Sequence, residues 1–194
     1  MKKFFDIADY ITVNISSPNT EGLRDFHELE KLKDLLLTLN KIKKENKTDI
    51  PLLLKVSPDI KDNQISEIAD TAIKNDISGI ILTNTTNSNK DKLISHFKKE
   101  EGGLSGEPLQ QISTNIIKKF YKQLNGKIPI IGVGGVNSGK SAYEKIIAGA
   151  SLLQLYTGLV YKGPSIVKNI KKELIQILKL AGLNNIKDAI GKNL

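Results

Sequence analysis

The sequence contains no cysteine and no tryptophan, a single arginine, and only 5% aromatic residues. A chain without cysteine has no disulfide bridge, no thiolate site for zinc or an iron–sulfur cluster, and no cysteine nucleophile. None of its apolar stretches approaches the roughly 18–20 residues that a membrane-spanning helix needs. The first six residues include two lysines and an aspartate and lack the apolar segment of a signal peptide. We therefore expect a soluble chain whose chemistry does not depend on sulfur.

The chain carries an excess of positive charge, with 29 lysine and arginine residues against 21 acidic residues and a formal net charge of +8. Proteins that read nucleic acids favour arginine and use aromatic side chains to stack on bases. Here every basic residue except Arg24 is a lysine, as in Lys41, Lys44, Lys168 and Lys171 on predicted helices. This composition predicts solvated helix surfaces and no nucleic-acid partner. It leaves open a weak attraction to anionic membranes or nucleotide-like ligands.

Short apolar runs alternate along the chain with amphipathic helical patterns. The predicted strands cover residues 10–15, 51–56, 79–83, 129–133 and 151–155, and the predicted helices cover 27–44, 65–73, 108–120, 142–150 and 164–181. Nearly continuous apolar strands between helices are typical of a parallel sheet covered by helices, which places the chain in the α/β class. No linker divides residues 1–194, so one unit is expected. The pattern leaves two architectures open, an open doubly wound sheet or part of a (β/α)8 barrel.

Polar residues follow each predicted strand, at the edge where parallel α/β folds bind their ligands. These segments are 14–20, 55–59, 83–86, 132–135 and 154–157. They are rich in amides and hydroxyls and poor in acids, which favours a neutral hydrogen-bonding heterocycle such as a pyrimidine or flavin over a metal ion. The two histidines, His27 and His96, lack metal-ligand spacing and lie among polar residues, so we expect both at the surface. We predict no metal site.

Lys55 is a charged residue inside an apolar predicted strand. A buried charge is costly without a partner, which leaves two interpretations. The lysine either extends its ammonium to solvent at the strand end or faces a ligand that gains negative charge, such as a reduced flavin.

Residues 134–141 fit the nucleotide-binding pattern G-x-x-x-x-G-K-[ST]. In a P-loop protein Lys140 would contact phosphates and Ser141 would hold magnesium. No later strand ends in the aspartate that assists such a magnesium ion. A double glycine at a strand end also suits any phosphate that must meet bare backbone N–H groups. The motif therefore predicts phosphate binding, with a P-loop nucleotide-binding protein as the less favoured alternative.

Four motifs resemble those of the dihydroorotate dehydrogenase family. They are N-I-S-S-P-N-T-x-G-L-R at 14–24, G-G-L-S-G-x-P-L at 102–109, I-I-G-V-G-G-V at 130–136 and A-G-A-S-L-x-Q-L-Y-T at 148–157. They occur in the family's order and cover essentially the whole chain. Ser17 stands where the other class of the family carries cysteine, so the sequence resembles the quinone-dependent class 2 enzymes. The resemblance implies an FMN-containing (β/α)8 barrel in which the five predicted strands are the fourth to eighth.

The resemblance also implies a reaction and a role for each site residue. The reaction is the oxidation of dihydroorotate to orotate in de novo pyrimidine (UMP) biosynthesis, with a quinone as electron acceptor. Ser17 would be the base that removes a proton from C5 while hydride passes from C6 to N5 of FMN. The substrate residues would be Asn14, Asn19, Asn84 and Thr85; the flavin-ring residues Asn14, Lys55 and Thr83; and the FMN-phosphate residues Gly106, Gly135, Tyr156 and Thr157.

The length of the chain departs from the family. A (β/α)8 barrel typically takes ~250 residues, whereas this sequence has 194. We expect residues 1–194 to be a partial FMN-binding barrel domain without the first three strands and the amino-terminal helices that guide quinone. Such a chain is a fragment, one half of a split enzyme whose partner chain supplies the first strands, or a non-catalytic remnant. Class 2 enzymes bind a membrane through that amino-terminal region, which implies a peripheral location at a bacterial inner or mitochondrial inner membrane.

Overall fold

The computed structural model describes residues 1–88 and 90–192 as one alternating series of strands and helices. The strands are β1 (Ile11–Asn14), β2 (Leu52–Val56), β3 (Gly79–Leu82), β4 (Ile130–Val133) and β5 (Leu152–Gln154). The helices are α1 (Leu29–Glu45), α2 (Asp62–Lys74), α3 (Gln110–Leu124), α4 (Gly139–Ile147), α5 (Thr157–Lys162) and α6 (Ser165–Leu180). Within the described ranges, no helix is long and apolar enough to span a membrane.

The five strands form one parallel sheet in the order β1-β2-β3-β4-β5. A doubly wound sheet reverses its strand order at a switch point, whereas a barrel adds each strand beside the previous one. The sequential order therefore selects the predicted part of a (β/α)8 barrel. Asn14 lies beside Lys55 in the register, and Lys55 lies beside Ile81. The carboxyl ends of the strands consequently meet at one edge.

Both faces of the sheet are apolar, as expected for parallel strands covered on each side. Alternate residues such as Leu54 and Ile80 face the helices, where they pack with Ile117 and Phe120 in the main core. The residues between them form a smaller cluster on the opposite face, made of Leu53, Ile81 and Ile131 with Val133 packed against it. Because of this alternation, successive side chains at the strand ends point in turn toward the helices and toward the face that carries the smaller cluster.

The predicted strands and helices are confirmed, with shifts of a few residues at their ends and one omission. Helix α5 was not predicted, because its six residues are too few to show helical periodicity and include Gly158. Helix α4 begins at Gly139, three residues before the predicted start. There the Ser138 Oγ accepts a hydrogen bond from the Ser141 N–H at 3.2 Å and caps the helix.

Candidate active site

A cleft of about 840 Å³ lies at the carboxyl ends of β2 to β5. Eight of the eleven predicted site residues line it together, and they are Lys55, Thr83, Asn84, Thr85, Gly106, Gly135, Tyr156 and Thr157. They come from four different strand ends and the long loop between β3 and α3. The sheet therefore brings together residues that are as far as a hundred positions apart in sequence. A cleft of this volume, with mainly apolar walls and a small number of polar groups, suits a small-molecule ligand.

Asn14, Ser16 and Asn84 form a hydrogen-bonded group at the rim of this cleft. The Asn14 Oδ1 accepts bonds from the Ser16 Oγ at 2.6 Å and the Ser16 N–H at 3.2 Å. The Asn84 Nδ2 donates to the Ser16 Oγ at 2.9 Å and to the Asn14 Oδ1 at 3.5 Å. Because the Asn84 Oδ1 accepts from the Thr85 N–H at 2.7 Å, the orientation of that amide is fixed. The group is preorganised to present amide donors and acceptors to a polar ring.

Ser17 and Asn19 do not line the main cleft but lie in the loop after β1. Ser17 is half-buried, and its Oγ accepts hydrogen bonds from the Asn19 N–H at 3.2 Å and the Thr20 Oγ1 at 3.5 Å. Two donors aimed at one oxygen stabilise negative charge on it. Asn19 lines a second cleft of about 640 Å³ that also includes Gly102, the residue next to Gly103 of the main cleft. The two clefts therefore adjoin along the chain.

Lys55 is half-buried at the end of β2 and faces the main cleft. Desolvation by burial lowers the pKa of its ammonium group. No hydrogen bond or ion pair within the described part of the chain involves this ammonium group. A desolvated cation without a protein partner gains more from a bound anion than an exposed lysine does. Lys55 is thus suited to a ligand that carries or acquires negative charge.

Glycines line another part of the cleft, where there is little room for a side chain. A Cβ at Gly135 would lie 2.5 Å from the Gln110 Cβ, and one at Gly106 would lie 3.0 Å from the Thr157 Cγ2. Both glycines have positive φ angles, +73° and +80°. Beside them the Ser105 Oγ and the Thr157 Oγ1 form a hydrogen bond of 2.9 Å. Bare backbone and two hydroxyls make a cradle of the kind that binds phosphate.

The structure does not favour the P-loop alternative, because the groups that would bind a nucleotide either form intramolecular contacts or lie outside the cleft. Lys140 is exposed on α4 and does not line the cleft. The Ser141 Oγ is buried and accepts from the Asn137 N–H at 2.9 Å. The Gly139 N–H donates to the Glu173 Oε2 at 2.5 Å. Intramolecular contacts thus occupy the start of this helix, and the part of the motif that lines the cleft is its first four residues, 134–137.

The prediction that His27 lies at the surface is wrong. Only 4% of His27 is exposed, because both ring nitrogens bind backbone groups. Nε2 accepts from the Ser57 N–H at 3.3 Å, so Nδ1 carries the proton that it donates to the Arg24 carbonyl at 2.8 Å. Burial lowers the pKa of His27, the bond to the Arg24 carbonyl opposes this shift, and the Arg24 charge adds to it. His96 is exposed, as predicted.

Sequence reasoning missed two charged groups that are central to the structure around the site. Arg24, in the loop after β1, and Asp59, in the loop after β2, form an ion pair of 3.1 Å. Both side chains also bind residues of the loop after β3. Lys145 is completely buried between α3 and α4. For the Arg24–Asp59 pair, the available signal in the sequence was that Arg24 is the only arginine of the chain. Across the described residues, no cluster of three or more histidine, aspartate or glutamate side chains could hold a metal ion.

Comparison with known proteins identifies the family of this fold and cleft. A family model described as dihydroorotate dehydrogenase matches residues 1–178. This chain belongs to the dihydroorotate dehydrogenase family. A curated relative from Bartonella tribocorum, named dihydroorotate dehydrogenase (quinone), is 46% identical over 98% of this chain and 54% of its own length. A mitochondrial relative of the same name from Arabidopsis thaliana is 43% identical over 95% of this chain and 41% of its own length.

Solved structures of the family have the same backbone as this chain. The crystal structure of DHODH from Eimeria tenella in complex with ferulenol matches with a TM-score of 0.94 and 36% identity, over 99% of this chain and 56% of that one. A ligand-free DHODH structure from the same organism gives 0.92 and 37%. The chain therefore spans about half the length of the curated relatives and solved structures that it matches. The predicted resemblance and the predicted fold are both confirmed.

Proposed function

We propose that this chain carries the cofactor and substrate sites of a quinone-dependent dihydroorotate dehydrogenase, which oxidises dihydroorotate to orotate in pyrimidine biosynthesis. The observation that carries the proposal is the main cleft, where Lys55, which has no partner among the described residues, lies together with glycines whose backbone is bare. The curated relatives that match the chain are named for this activity. We also propose that residues 1–194 are part of an FMN-binding barrel and that the whole protein associates peripherally with a membrane.

The residues of the main cleft fit FMN in three respects. The cradle around Gly106 and Gly135 would hold the phosphate, since backbone N–H groups without a side chain can approach its oxygens closely. Lys55 would face the ring system together with Thr83 and offset its charge in the reduced state. Tyr156 is 78% exposed at the rim, where it would cover the phosphate end with Thr157. When bound, FMN would take the hydride that leaves C6 of dihydroorotate and pass the electrons to quinone.

The loop after β1 would supply the base for the same reaction. Ser17 Oγ would accept the proton that leaves C5 of dihydroorotate, while Asn14, Asn19, Asn84 and Thr85 would bind the pyrimidine and its carboxylate. A serine hydroxyl accepts a proton only if it passes its own proton on. The Thr20 hydroxyl lies 3.5 Å from the Ser17 Oγ, and Thr20 is exposed. In the observed geometry the Thr20 hydroxyl is the donor, so both hydroxyls would have to rotate until Ser17 donates to Thr20, and a proton passed along the pair would then reach solvent.

Titration with FMN and reduction by dihydroorotate test the proposal. The chain is purified alone and also joined behind the part of the Bartonella tribocorum relative that precedes the matched region. We expect a yellow protein whose flavin absorbance is bleached by dihydroorotate. Ser17→Ala should slow this bleaching roughly 10²–10⁴-fold, the usual contribution of a general base, and leave orotate affinity nearly unchanged. Ser151→Ala, at an exposed serine outside the cleft, should behave as the wild type.

Two results would contradict the proposal. If neither protein takes up FMN, the cleft is not a flavin site. If Ser17→Ala weakens orotate binding as strongly as it slows bleaching, Ser17 binds the substrate and is not the base.

A further inference from the structure

The guanidinium group of Arg24 touches all three loops of the substrate side. Its Nε donates to the Ser16 carbonyl at 3.4 Å, its Nη1 pairs with the Asp59 Oδ2 at 3.1 Å, and its Nη2 donates to the Thr85 carbonyl at 3.4 Å. Ser16 precedes the proposed base Ser17 in the chain, and Thr85 is a proposed substrate residue. One planar side chain therefore links the backbone beside the base to the backbone of the substrate site.

The Asp59 carboxylate accepts hydrogen bonds from the loop after β3. Its Oδ2 accepts from the Asn87 N–H at 2.9 Å in addition to Arg24. Its Oδ1 accepts from the Ser88 Oγ at 3.0 Å and from the Thr86 Oγ1. Four donors thus converge on the two oxygens, and three of them belong to consecutive residues. The carboxylate therefore stabilises the turn formed by residues 86–88.

The surroundings of the pair make it a fixed structural element. The Arg24 and Asp59 side chains are 27% and 14% exposed, so the attraction between them is screened less than at the open surface. Arginine suits this position because its planar fork offers donors in several fixed directions, whereas a lysine ammonium acts as a compact point charge. His27 also holds the Arg24 carbonyl, which fixes the backbone from which the side chain extends.

We propose that Arg24 and Asp59 are positioning residues that set the distance between the Ser17 loop and the Thr85 loop for proton abstraction. Neither residue lines the main cleft, so neither is a catalytic residue. The proposal rests on the function proposed above. It adds that the geometry of proton transfer depends on the charged pair of Arg24 and Asp59, since a reaction slows steeply when the reacting groups are misplaced by about 1 Å.

Asp59→Asn and Arg24→Lys test this clamp. An asparagine has one acceptor oxygen where the carboxylate has two, so it can serve either Arg24 and Asn87 or Thr86 and Ser88, but not both. We expect faster hydrogen–deuterium exchange in segments 16–24 and 84–88 of the purified chain, with the Asn87 amide as the sharpest reporter. In the FMN-loaded protein, bleaching by dihydroorotate should slow by up to roughly 10²-fold, with FMN affinity unchanged.

A second ion pair provides the matched control. Lys119 and Asp62 lie 2.5 Å apart, but their side chains are 47% and 77% exposed and away from the cleft. Asp62→Asn should leave both exchange and bleaching at wild-type values. If either clamp variant fails to fold, Thr86→Val removes one bond to Asp59 and keeps the ion pair, and a smaller effect in the same direction is expected.

Several outcomes would overturn the clamp. Unchanged exchange in segments 16–24 and 84–88 would mean that the pair does not hold the loops. A fall in FMN affinity that parallels the fall in bleaching rate would indicate general damage to the fold. A wild-type protein that takes up no FMN would contradict the proposed function instead, and the exchange rates would then decide whether the pair holds the loops.

Discussion

Replacement of Lys145 by methionine tests how the structure accommodates a fully buried amine. Lys145 lies on α4 with none of its surface exposed, against the first turn of α3. Its Nζ donates to the Ser113 Oγ at 2.9 Å, the Thr114 Oγ1 at 3.1 Å and the Gln110 carbonyl at 3.4 Å. Methionine has a similar length and no charge, so Lys145→Met removes the titrating group with little change in volume.

The expected magnitude follows from the pKa of this lysine. Desolvation by burial lowers the pKa from 10.5 to about 7, against the opposing charge of Glu144. Between these two pH values the unfolded chain holds a proton that the folded protein has released. The free energy of unfolding therefore rises with pH by up to about 1.4 kcal/mol per unit from this group, or about 5 kcal/mol over the whole interval. Below pH 7 the contribution is constant.

Urea unfolding of the wild type and the variant at several pH values between 7 and 10.5 measures this effect. All other titrating groups are common to both proteins, so the difference between the two unfolding free energies isolates Lys145. We expect the unfolding free energy of the wild type to rise, relative to that of Lys145→Met, by about 1.4 kcal/mol per pH unit. Lys140→Met, at an exposed position of the same helix, should retain the wild-type slope. A difference that does not vary with pH would refute the reasoning, since Lys145 would then stay protonated throughout.

Two further predictions concern a glycine and a histidine. Gly135→Ala should destabilise the fold by about 1–3 kcal/mol more than Gly126→Ala and weaken FMN binding, because the new Cβ would lie 2.5 Å from the Gln110 Cβ. Gly126 has the same φ of +73° with nothing within 4 Å, so equal effects in urea unfolding and FMN titration would argue against the clash. Below pH 6.5 the free energy of unfolding of the wild type should fall by up to about 1.4 kcal/mol per pH unit, because the unfolded chain protonates His27 more readily than the folded protein does. His27→Gln should remove this loss and His96→Gln should keep it, and an identical acid response in all three proteins would contradict burial as its cause.

The sequence predicted those parts of the fold and site that depend on local pattern. Apolar runs located the strands, and the polar residues after them located the cleft, because the carboxyl ends of parallel strands always meet at one edge. Lys55 was recognisable because an isolated charge interrupts an apolar run. Gly135 was recognisable because glycine pairs at strand ends commonly serve phosphates. These signals need only a few neighbouring residues.

The missed features depend on contacts between distant segments. The Arg24–Asp59 pair joins residues 35 positions apart, and no periodicity relates the two positions. His27 was assigned to the surface because its sequence neighbours are polar, but the Ser57 backbone covers it. Lys145 did leave a sign, since it lies three residues after the buried Ala142 on the same face of α4. A charged residue on an apolar helix face is therefore worth the same attention as Lys55 in its strand.

The two halves of the proposed site are built differently and contact each other within the loop between β3 and α3. In the half proposed to bind substrate, the charged pair of Arg24 and Asp59 binds the backbone of the loops after β1 and β3; in the half proposed to bind phosphate, the glycine backbone is closely packed against neighbouring side chains. They meet where an added Cβ at Gly103 would lie 1.9 Å from the Thr85 Oγ1. There the Thr86 and Leu104 backbones exchange hydrogen bonds of 3.1 and 2.7 Å. These two hydrogen bonds therefore join the segment around Thr85 to the segment around Gly103.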